Sequence, residues 1–346
     1  SSPCVVSWSA DFETDTTADW TVNTGPTDSA ANFFFDYSSV GIPPAPGSKG
    51  TTHGMKLRCN LTSGVFGGFS VSPTGQAFTG DYKLAFDLWA NFNGPFPGGG
   101  SGSTNLSVAG VLTAGTSVNY PGVIDSIYFG ATGDGGSSAD WRAYSPDAAA
   151  SYQNGDPVYA APSRNNTDPY YASFGSVEAP ADQLTLFPQQ TGVTNPGSAG
   201  MAWHLVEINK AGNFVTWQVD GVLIATVDIT GMTLGGDNIL FGHSDINGTS
   251  STDTNAPDLL FTLIDNVRVL VPQDQPVSLG DWDGDGDSDL DDYARFADCL
   301  GGPGVEPDPT ISDCSGSCID TFDQDVDGDV DLRDFQALTD AGLFGM

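Results

Sequence analysis

The chain has 346 residues, of which 44 are acidic and 10 are basic, and its formal net charge is −34. A charge of this sign excludes nucleic-acid binding through a basic face and disfavours docking on anionic lipid, because both of those surfaces are negative. No segment approaches the roughly 20 apolar residues of a membrane-spanning helix. With 44 Gly, 22 Pro and 11% aromatic residues, the composition favours short strands joined by tight turns.

The sequence begins Ser1-Ser2-Pro3-Cys4, with neither an initiator Met nor a charged and apolar leader. Such a beginning fits either a trimmed chain or a mature chain whose signal peptide has been removed. Together with the cysteines and the calcium-type motif described below, it predicts a secreted, extracellular protein at a cell surface or in a matrix.

Residues 1–271 alternate apolar and polar side chains as β-strands do, and helical periodicity is nearly absent. Turn residues such as Asp220-Gly221 and Gly235-Gly236 separate the alternating segments. Two packed antiparallel sheets are the expected arrangement. The predicted strands are Tyr82–Trp89, Leu106–Leu112, Ser126–Phe129, Trp203–Asn209, Phe214–Val219, Leu223–Val227, Asn238–Phe241 and Leu259–Val271.

The segment from about 131 to 200 lacks this alternation. It is rich in Gly, Asn and Pro and contains the Tyr-rich stretch Asp168–Tyr171. We expect a long irregular insertion that belongs to a binding or assembly surface.

Within residues 1–271, three stretches resemble the concanavalin A-like lectin and glucanase jelly rolls, including laminin-G-like modules. They are an opening Asp11-Phe12-Glu13, the hairpin from Trp203 to Ala225, and a closing strand Ile264–Val269. The resemblance implies a two-sheet antiparallel jelly-roll sandwich, a fold that serves lectins, hydrolases and structural proteins alike.

The composition changes near residue 272. Residues 280–346 contain 18 Asp, one Glu and two Arg, a net charge of −17 and half that of the whole chain. The polar, proline-bounded stretch Pro272–Pro276 is typical of a stiff connector. We therefore predict a β-sandwich domain over 1–271, a linker over 272–279 and a second module over 280–346.

The second module contains two 12-residue acidic segments in the same register. Asp occupies positions 1, 3, 5, 7, 9 and 12 and Gly position 6 of both, which is the arrangement of an oxygen-donor calcium loop with its sharp turn. The predicted ligands are Asp281, Asp283, Asp285, Asp287, Asp289 and Asp292 in loop 1, and Asp323, Asp325, Asp327, Asp329, Asp331 and Asp334 in loop 2. We predict two calcium ions here, and a further one in the jelly roll is an open alternative.

Each acidic segment is followed by a short amphipathic helix, and the pair resembles the type I dockerin module. In that family both loops end in Asp, as Asp292 and Asp334 do here. The resemblance implies a small α-helical module of paired EF-hand-like loops that folds when it binds calcium. Dockerins often carry two hydroxyl residues at loop positions 10 and 11, where this chain has Leu290-Asp291 and Leu332-Arg333, so recognition of cohesin is not carried over. The predicted apolar helix positions are Tyr293, Phe296 and Leu300, then Phe335 and Leu338.

Five cysteines suggest disulfides in an oxidising compartment. Cys4 and Cys59 are the two in the N-terminal domain and are predicted to pair. Among the three in the tail, Cys299–Cys318 is preferred, because Cys314 and Cys318 would close only a small loop. A zinc site is the disfavoured alternative, since no His lies near these three thiols.

Glycoside hydrolysis needs two carboxyl groups that flank the scissile bond. Laminarinase-type jelly rolls carry these in a Glu-x-Asp-x-x-Glu pattern, which is absent here: the four Glu residues, Glu13, Glu178, Glu207 and Glu306, are far apart in sequence. Glu207 lies on a predicted strand and is expected to be an outward polar residue. His53, His204 and His243 are also scattered, so no catalytic residue is predicted.

Exposed aromatic rings could form a sugar-binding platform, because flat rings stack on sugar faces. The candidates are Trp89, Phe92, Phe96, Trp141, Tyr144, Tyr152, Tyr170 and Tyr171. Four glycosylation sequons begin at Asn60, Asn105, Asn165 and Asn247, and we expect one or two of them to be used.

These observations favour a non-catalytic, calcium-binding structural protein of an extracellular surface assembly or fibre. Its calcium module would mediate self-association or bind another extracellular protein. A lectin that binds glycans and is tethered by the same module is the alternative, and a polysaccharide hydrolase is the third hypothesis. Nucleic acid and a membrane span are not expected.

Overall fold

A computed structural model describes residues 4–98, 104–247, 253–272, 280, 290–305, 307 and 315–340. The chain forms two compact units, one of residues 10–267 and one of residues 1–9 together with 268–346. The predicted boundaries at 271 and 279 stay predictions, and most of the predicted linker lies outside the described residues. Among the described helices, none is long and apolar enough to span a membrane.

The described residues contain fourteen β-strands, which form two antiparallel sheets. One sheet has the strand order β12-β11-β10-β6-β14-β4-β3, with β1 also paired to β14, and the other has the order β2-β5-β13-β7-β8-β9. The strands are β1 Cys4–Ala10, β2 Trp20–Asn23, β3 Ser29–Asp36, β4 His53–Cys59, β5 Gly67–Pro73, β6 Tyr82–Asn91, β7 Asn105–Thr113, β8 Ile127–Thr132, β9 Trp141–Tyr144, β10 Trp203–Ala211, β11 Phe214–Val219, β12 Val222–Asp228, β13 Asn238–Asp245 and β14 Phe261–Pro272.

The two sheets pack as a β-sandwich, which confirms the predicted mainly β, two-sheet antiparallel fold. All eight strands predicted from alternation form, with ends that differ by up to four residues. Six further strands, β1 to β5 and β9, were not predicted. The insertion after residue 131 contains one of these strands and the short helix α1, Ala181–Leu186.

Aromatic rings from both sheets fill the space between them. Phe86 of β6 meets Phe241 of β13 edge to face, with ring centroids 5.0 Å apart. Phe129 of β8 stacks on Trp217 of β11 at 5.1 Å. Each such ring buries roughly 150–250 Å², and each pair adds about 1 kcal/mol beyond that burial. These contacts fix the distance between the sheets.

The predicted disulfide between Cys4 and Cys59 is wrong. Cys59 ends β4, is buried and carries a free thiol. This burial, and then the nearby Asp245 carboxylate on β13, raise the pKa of the Cys59 thiol. Cys4 begins β1, a strand of the other compact unit. The assumption that both cysteines belong to one domain therefore fails.

The unit that includes the C-terminal region contains three described helices: α3 Leu290–Cys299, α4 Ser315–Phe322 and α5 Leu332–Asp340; the short helix α2, Ala256–Leu259, belongs to the sandwich unit. The ring of Phe296 on α3 lies 5.4 Å from that of Phe322 and 5.6 Å from that of Phe335. Cys299 and Cys318 form the preferred disulfide and are both buried. Helix α4 was not predicted, and Leu300 lies past the end of α3 with 43% of its surface exposed. Cys314 lies outside the described residues.

A buried carboxyl group anchors the segment 37–51 to the sandwich. Asp265 of β14 is fully buried, and its Oδ2 lies 3.0 Å from the Tyr37 hydroxyl. That hydroxyl also lies 3.1 Å from the Thr51 carbonyl and accepts the Ala45 N–H at 3.1 Å. Because Tyr37 has one proton, it can donate to Thr51 only when a protonated Asp265 donates to it. Burial, reinforced by the charge of Asp87, raises the pKa of Asp265 to about 8.

This network makes the stability of the sandwich depend on pH. The pKa of Asp265 is higher in the folded state than the unfolded value of about 3.9. Protonated Asp265 therefore adds its full amount to the free energy of unfolding below about pH 4, and this amount is lost as the pH rises through about 8. Asp265→Asn supplies a permanent donor to Tyr37 and should raise the free energy of unfolding at pH 9 by on the order of 2 kcal/mol, with little change at pH 5.

Urea unfolding followed by tryptophan fluorescence measures this difference. The exposed Asp147 offers the matched control, since Asp147→Asn makes the same substitution outside the network. Parallel pH profiles for Asp265→Asn and the wild type would contradict the interpretation.

Candidate metal centre

The loop that joins α4 to α5 gathers the six predicted ligands of loop 2 into two groups of three. Asp323 follows the last residue of α4, and its two carboxylate oxygens accept the N–H groups of Asp327 at 3.2 Å and Gly328 at 3.0 Å. Gly328 has a φ of 88°, a left-handed conformation that glycine adopts without steric cost. The register of Asp and Gly in the sequence therefore produces a loop that folds back over its first carboxylate.

The six carboxylates form two groups. In each group, one carboxylate oxygen per residue lies within 4.8 Å of the others. Asp323, Asp325 and Asp327 form the first group, in which Asp325 and Asp327 are exposed. Asp329, Asp331 and Asp334 form the second group, and all three are buried, with at most 4% of their surface exposed.

Backbone N–H groups hold the buried group in place. Asp334 accepts the N–H groups of Gln324 at 2.6 Å and Asp331 at 2.7 Å, one on each oxygen. Asp331 accepts the Arg333 N–H at 2.6 Å, and Asp329 accepts the Gly304 N–H on its Oδ2. A carboxylate offers about four lone pairs, so each group keeps acceptor capacity for a further partner.

Asp329 has an unsatisfied atom: its Oδ1 is buried and has no hydrogen-bond partner. An ionised oxygen without a partner in the protein interior is costly unless a cation or a donor meets it. Oδ1 of Asp329 is therefore the atom of this loop at which a cation would supply a missing partner.

The described side chains supply little positive charge to this loop. Arg333 lies 3.8 Å from Asp327, but 71% of its side chain is exposed, so water screens the pair. Desolvation and the neighbouring carboxylates, Asp327 first among them, raise the pKa of Asp325. The loop concentrates negative charge that its own residues do not neutralise.

The donor set matches a hard divalent cation. All six side chains are carboxylates at the positions that a calcium loop uses, and the orphaned Oδ1 of Asp329 lies among the buried ones. Such oxygen ligands favour calcium over zinc, which prefers nitrogen and sulfur. The residues of loop 2 therefore fit the ion that the sequence predicts.

Loop 1 is described only at its end. Asp281, Asp283, Asp285, Asp287 and Asp289 lie outside the described residues. Asp292, the closing residue, is buried near the start of α3 with 1% of its surface exposed. This position corresponds to that of Asp334 near the start of α5.

In the sandwich, the candidate acid and base residues have structural partners. Glu207 of β10, predicted to be an outward polar residue, is buried with 8% of its surface exposed and accepts a hydrogen bond from Lys83 at 2.9 Å. Glu13 lies 3.2 Å from His53, and His204 lies 2.7 Å from Asp220. Glu178 is exposed, and Glu306 lies outside the described residues.

His243 is fully enclosed in the sandwich. Its two ring nitrogens lie 2.8 Å from Thr262 and Asn105, and burial lowers its pKa to about 3. His243 is therefore neutral at physiological pH.

The predicted aromatic platform does not form. Trp89, Phe92, Phe96, Trp141, Tyr144 and Tyr171 are buried with 7% exposure or less, and Tyr152 is half-buried. Trp141 shows why: its ring stacks on Tyr171 at 5.2 Å, and its N–H donates to the Gly197 carbonyl. Trp141 and Tyr171 thus belong to the core of the irregular insertion, whereas Trp89, Phe92 and Phe96 belong to a hydrophobic cluster that includes Phe261 of β14. Of the eight candidates, only Tyr170 exposes more than a third of its surface.

The four sequons differ in accessibility. Asn60 is 5% exposed and its amide is fully engaged, Asn105 and Asn165 are half-buried, and Asn247 is exposed. The Asn60 amide donates to the Val65 carbonyl at 2.6 Å and accepts the Val65 N–H at 3.2 Å and the Thr27 hydroxyl. Asn60 is thus a structural residue of its turn, and Asn247 is the most accessible acceptor.

Solved structures similar to this chain include sandwiches of several functions. A Bacillus subtilis protein of unknown function with a galectin-like fold is 10% identical over 78% of this chain and 98% of that one, with a TM-score of 0.42. The catalytic domain of a Thermotoga petrophila endo-1,3-β-glucanase is 11% identical over 79% and 100%, at 0.39. The carbohydrate recognition domain of Emp47p is 8% identical over 78% and 93%, at 0.34. These values assign no function.

No protein-family model and no curated protein matches the sequence.

The two asparagines Asn60 and Asn247 give a test of the assigned roles. Asn60→Ala removes the side-chain partners of the Val65 carbonyl and N–H and should lower the free energy of unfolding by about 2 kcal/mol. The control Asn247→Ala, at an exposed side chain, should change it by less than about 0.5 kcal/mol. Urea unfolding of unglycosylated protein measures both, and equal effects would show that Asn60 is not structural.

Proposed function

We propose that this chain is a non-catalytic, calcium-binding extracellular protein whose C-terminal module mediates contacts between protein subunits. The observation that carries the calcium assignment is the buried group Asp329, Asp331 and Asp334, in which Oδ1 of Asp329 has no partner. A bound calcium ion would supply the missing positive charge through these three residues and the Asp323, Asp325 and Asp327 group.

The second ion belongs to loop 1. Its Asp and Gly residues repeat the register of loop 2, and its closing Asp292 is buried as Asp334 is. The residues that would hold this ion are Asp281, Asp283, Asp285, Asp287, Asp289 and Asp292. With an ion in each loop, the two loops would form the paired, dockerin-like arrangement that the sequence predicts.

Calcium would couple to folding of the module. Without a cation, clustered carboxylates repel one another and oppose the compact state, and ion binding converts this repulsion into attraction. The disulfide Cys299–Cys318 supports an oxidising, extracellular location, because cytosolic thiols are kept reduced.

Two exposed apolar side chains on loop 2 support a role in protein contacts. Val326, at loop position 4, is 85% exposed, and Leu332, at position 10, is 71% exposed. Large apolar groups with that exposure gain free energy when a partner covers them. In the sandwich, Glu207, Glu13 and His204 have partners of their own, which supports a scaffold role over a hydrolytic one.

Calcium binding is tested by calorimetric titration of chelator-treated protein. The wild type should bind two ions, and Asp329→Asn should weaken one site by on the order of 10–100-fold, since it removes a charged ligand. Asp340→Asn is the matched control, because Asp340 is exposed at the end of α5 outside the loop, and it should leave both sites unchanged. A wild type without calcium binding would refute the proposal.

Assembly is tested by electron microscopy and light scattering in millimolar calcium and in chelator. Fibres or large oligomers in calcium that dissolve in chelator are expected, and Leu332→Asp should reduce them while two ions still bind. Leu186→Asp, at a 53% exposed residue of the sandwich, is the control. Monomers of 36.0 kDa under both conditions would contradict the assembly role and favour the lectin alternative, for which a glycan array is the next measurement.

A further inference from the structure

The disulfide Cys299–Cys318 lies between the two calcium loops and is built into the unit rather than placed on its surface. Cys299 is the last residue of α3, Cys318 lies within α4, and both are at most 1% exposed. Their Cα atoms are 5.5 Å apart across a sequence separation of 19 residues. The bond thus joins the helix that follows loop 1 to the helix that precedes loop 2.

The chain that leaves Cys299 runs directly onto loop 2. Gly301 and Gly302 donate their N–H groups to the Val330 carbonyl at 3.1 and 3.3 Å. Gly304 donates its N–H to Oδ2 of Asp329, the residue whose Oδ1 has no partner. This first arm therefore fixes the orientation of the Asp329 carboxylate.

The chain that leaves Cys318 reaches the other end of the same loop. Four residues further on, α4 ends at Phe322, and the next residue is Asp323. The Asp323 N–H donates to the Ile319 carbonyl at 3.2 Å, so the helical hydrogen bonding continues into the first ligand position. This second arm therefore fixes the start of loop 2.

We propose that the disulfide positions the calcium ligands of loop 2, so that its presence sets the affinity of that site. The proposal rests on the calcium function proposed above. Cys299 and Cys318 are positioning residues: they act through Gly304 on Asp329 and through the end of α4 on Asp323. Partners that orient metal ligands commonly change metal affinity by about 10–100-fold.

Thermodynamic linkage makes the effect reciprocal. If the disulfide raises calcium affinity by a given factor, calcium must favour the disulfide over the dithiol by the same factor. A tenfold effect corresponds to a shift of about 30 mV in the potential of this two-electron couple. A disulfide that stabilised the calcium-bound and the calcium-free module equally would not show this shift in potential.

The first experiment compares calcium titrations of the full chain with and without the disulfide, both in a Cys314→Ser background that prevents re-pairing. Cys299→Ser with Cys318→Ser should weaken one of the two sites by about tenfold or more and leave the other within about threefold. Thr339→Ala is the control, because it removes the hydrogen bond from the Thr339 hydroxyl to the Phe335 carbonyl within α5 and lies outside both arms. It should not weaken one site selectively.

The second experiment needs no variant. The wild type is equilibrated with dithiothreitol mixtures of increasing reducing strength in calcium or in chelator, and the disulfide is quantified by thiol labelling. In this exchange, dithiothreitol loses two electrons to form its cyclic disulfide while Cys299 and Cys318 become thiols. A midpoint that is more negative in calcium by about 30 mV or more is expected.

The outcomes separate the two proposals. A wild type that binds no calcium overturns both of them. A wild type that binds two ions, but has the same reduction midpoint in calcium and in chelator, overturns the positioning role alone. The positioning role is likewise overturned if the chain without the disulfide retains both affinities or loses them equally.

Discussion

The C-terminal unit is organised around the electrostatic cost of burying three carboxylates together. Asp329, Asp331 and Asp334 lie within 4.8 Å of one another in a setting from which water is largely excluded. Backbone N–H groups reduce this cost but carry no net charge, and the Oδ1 of Asp329 has no partner at all. A loop of this kind is close to two states, one compact around a cation and one expanded without it. The disulfide Cys299–Cys318 and the ring contact between Phe296 and Phe322 hold α3 against α4, the helix that ends directly before this loop.

The sandwich differs from the C-terminal unit, because apolar contacts between side chains hold its two sheets together without a ligand. Rings such as Phe86, Phe129 and Trp217 connect the two sheets, and the irregular insertion is organised in the same way around Trp141. Buried ionisable groups of the sandwich have hydrogen-bond partners within it, as Asp265 has in Tyr37. If the C-terminal module binds calcium as proposed, the sandwich would keep its fold while the folding of the module responds to the calcium concentration.

The sequence predicts those features that depend on local periodicity and spacing. Strand β10 is predicted because Val206, Glu207, Ile208 and Asn209 alternate apolar and polar side chains. Strand β5 is not predicted, because its alternation is limited to Phe69–Ser72, between two glycines and a proline. Strand β3 is not predicted, because the three consecutive residues Phe33–Phe35 interrupt any alternation of apolar and polar side chains. The ligand register of loop 2 needed only the spacing of Asp and Gly. By contrast, the state of Cys59, the burial of Trp141 and the engagement of Asn60 depend on contacts between distant segments, which composition does not reveal.

The unpaired thiol of Cys59 has a consequence for the dynamics of the sandwich. It is buried between the sheets, and its pKa is raised, so both access and ionisation are suppressed in the closed state. A thiol reagent can therefore reach Cys59 only during an opening that separates β4 from its surroundings. The rate at which a thiol reagent modifies Cys59 therefore measures how often the sandwich opens at β4.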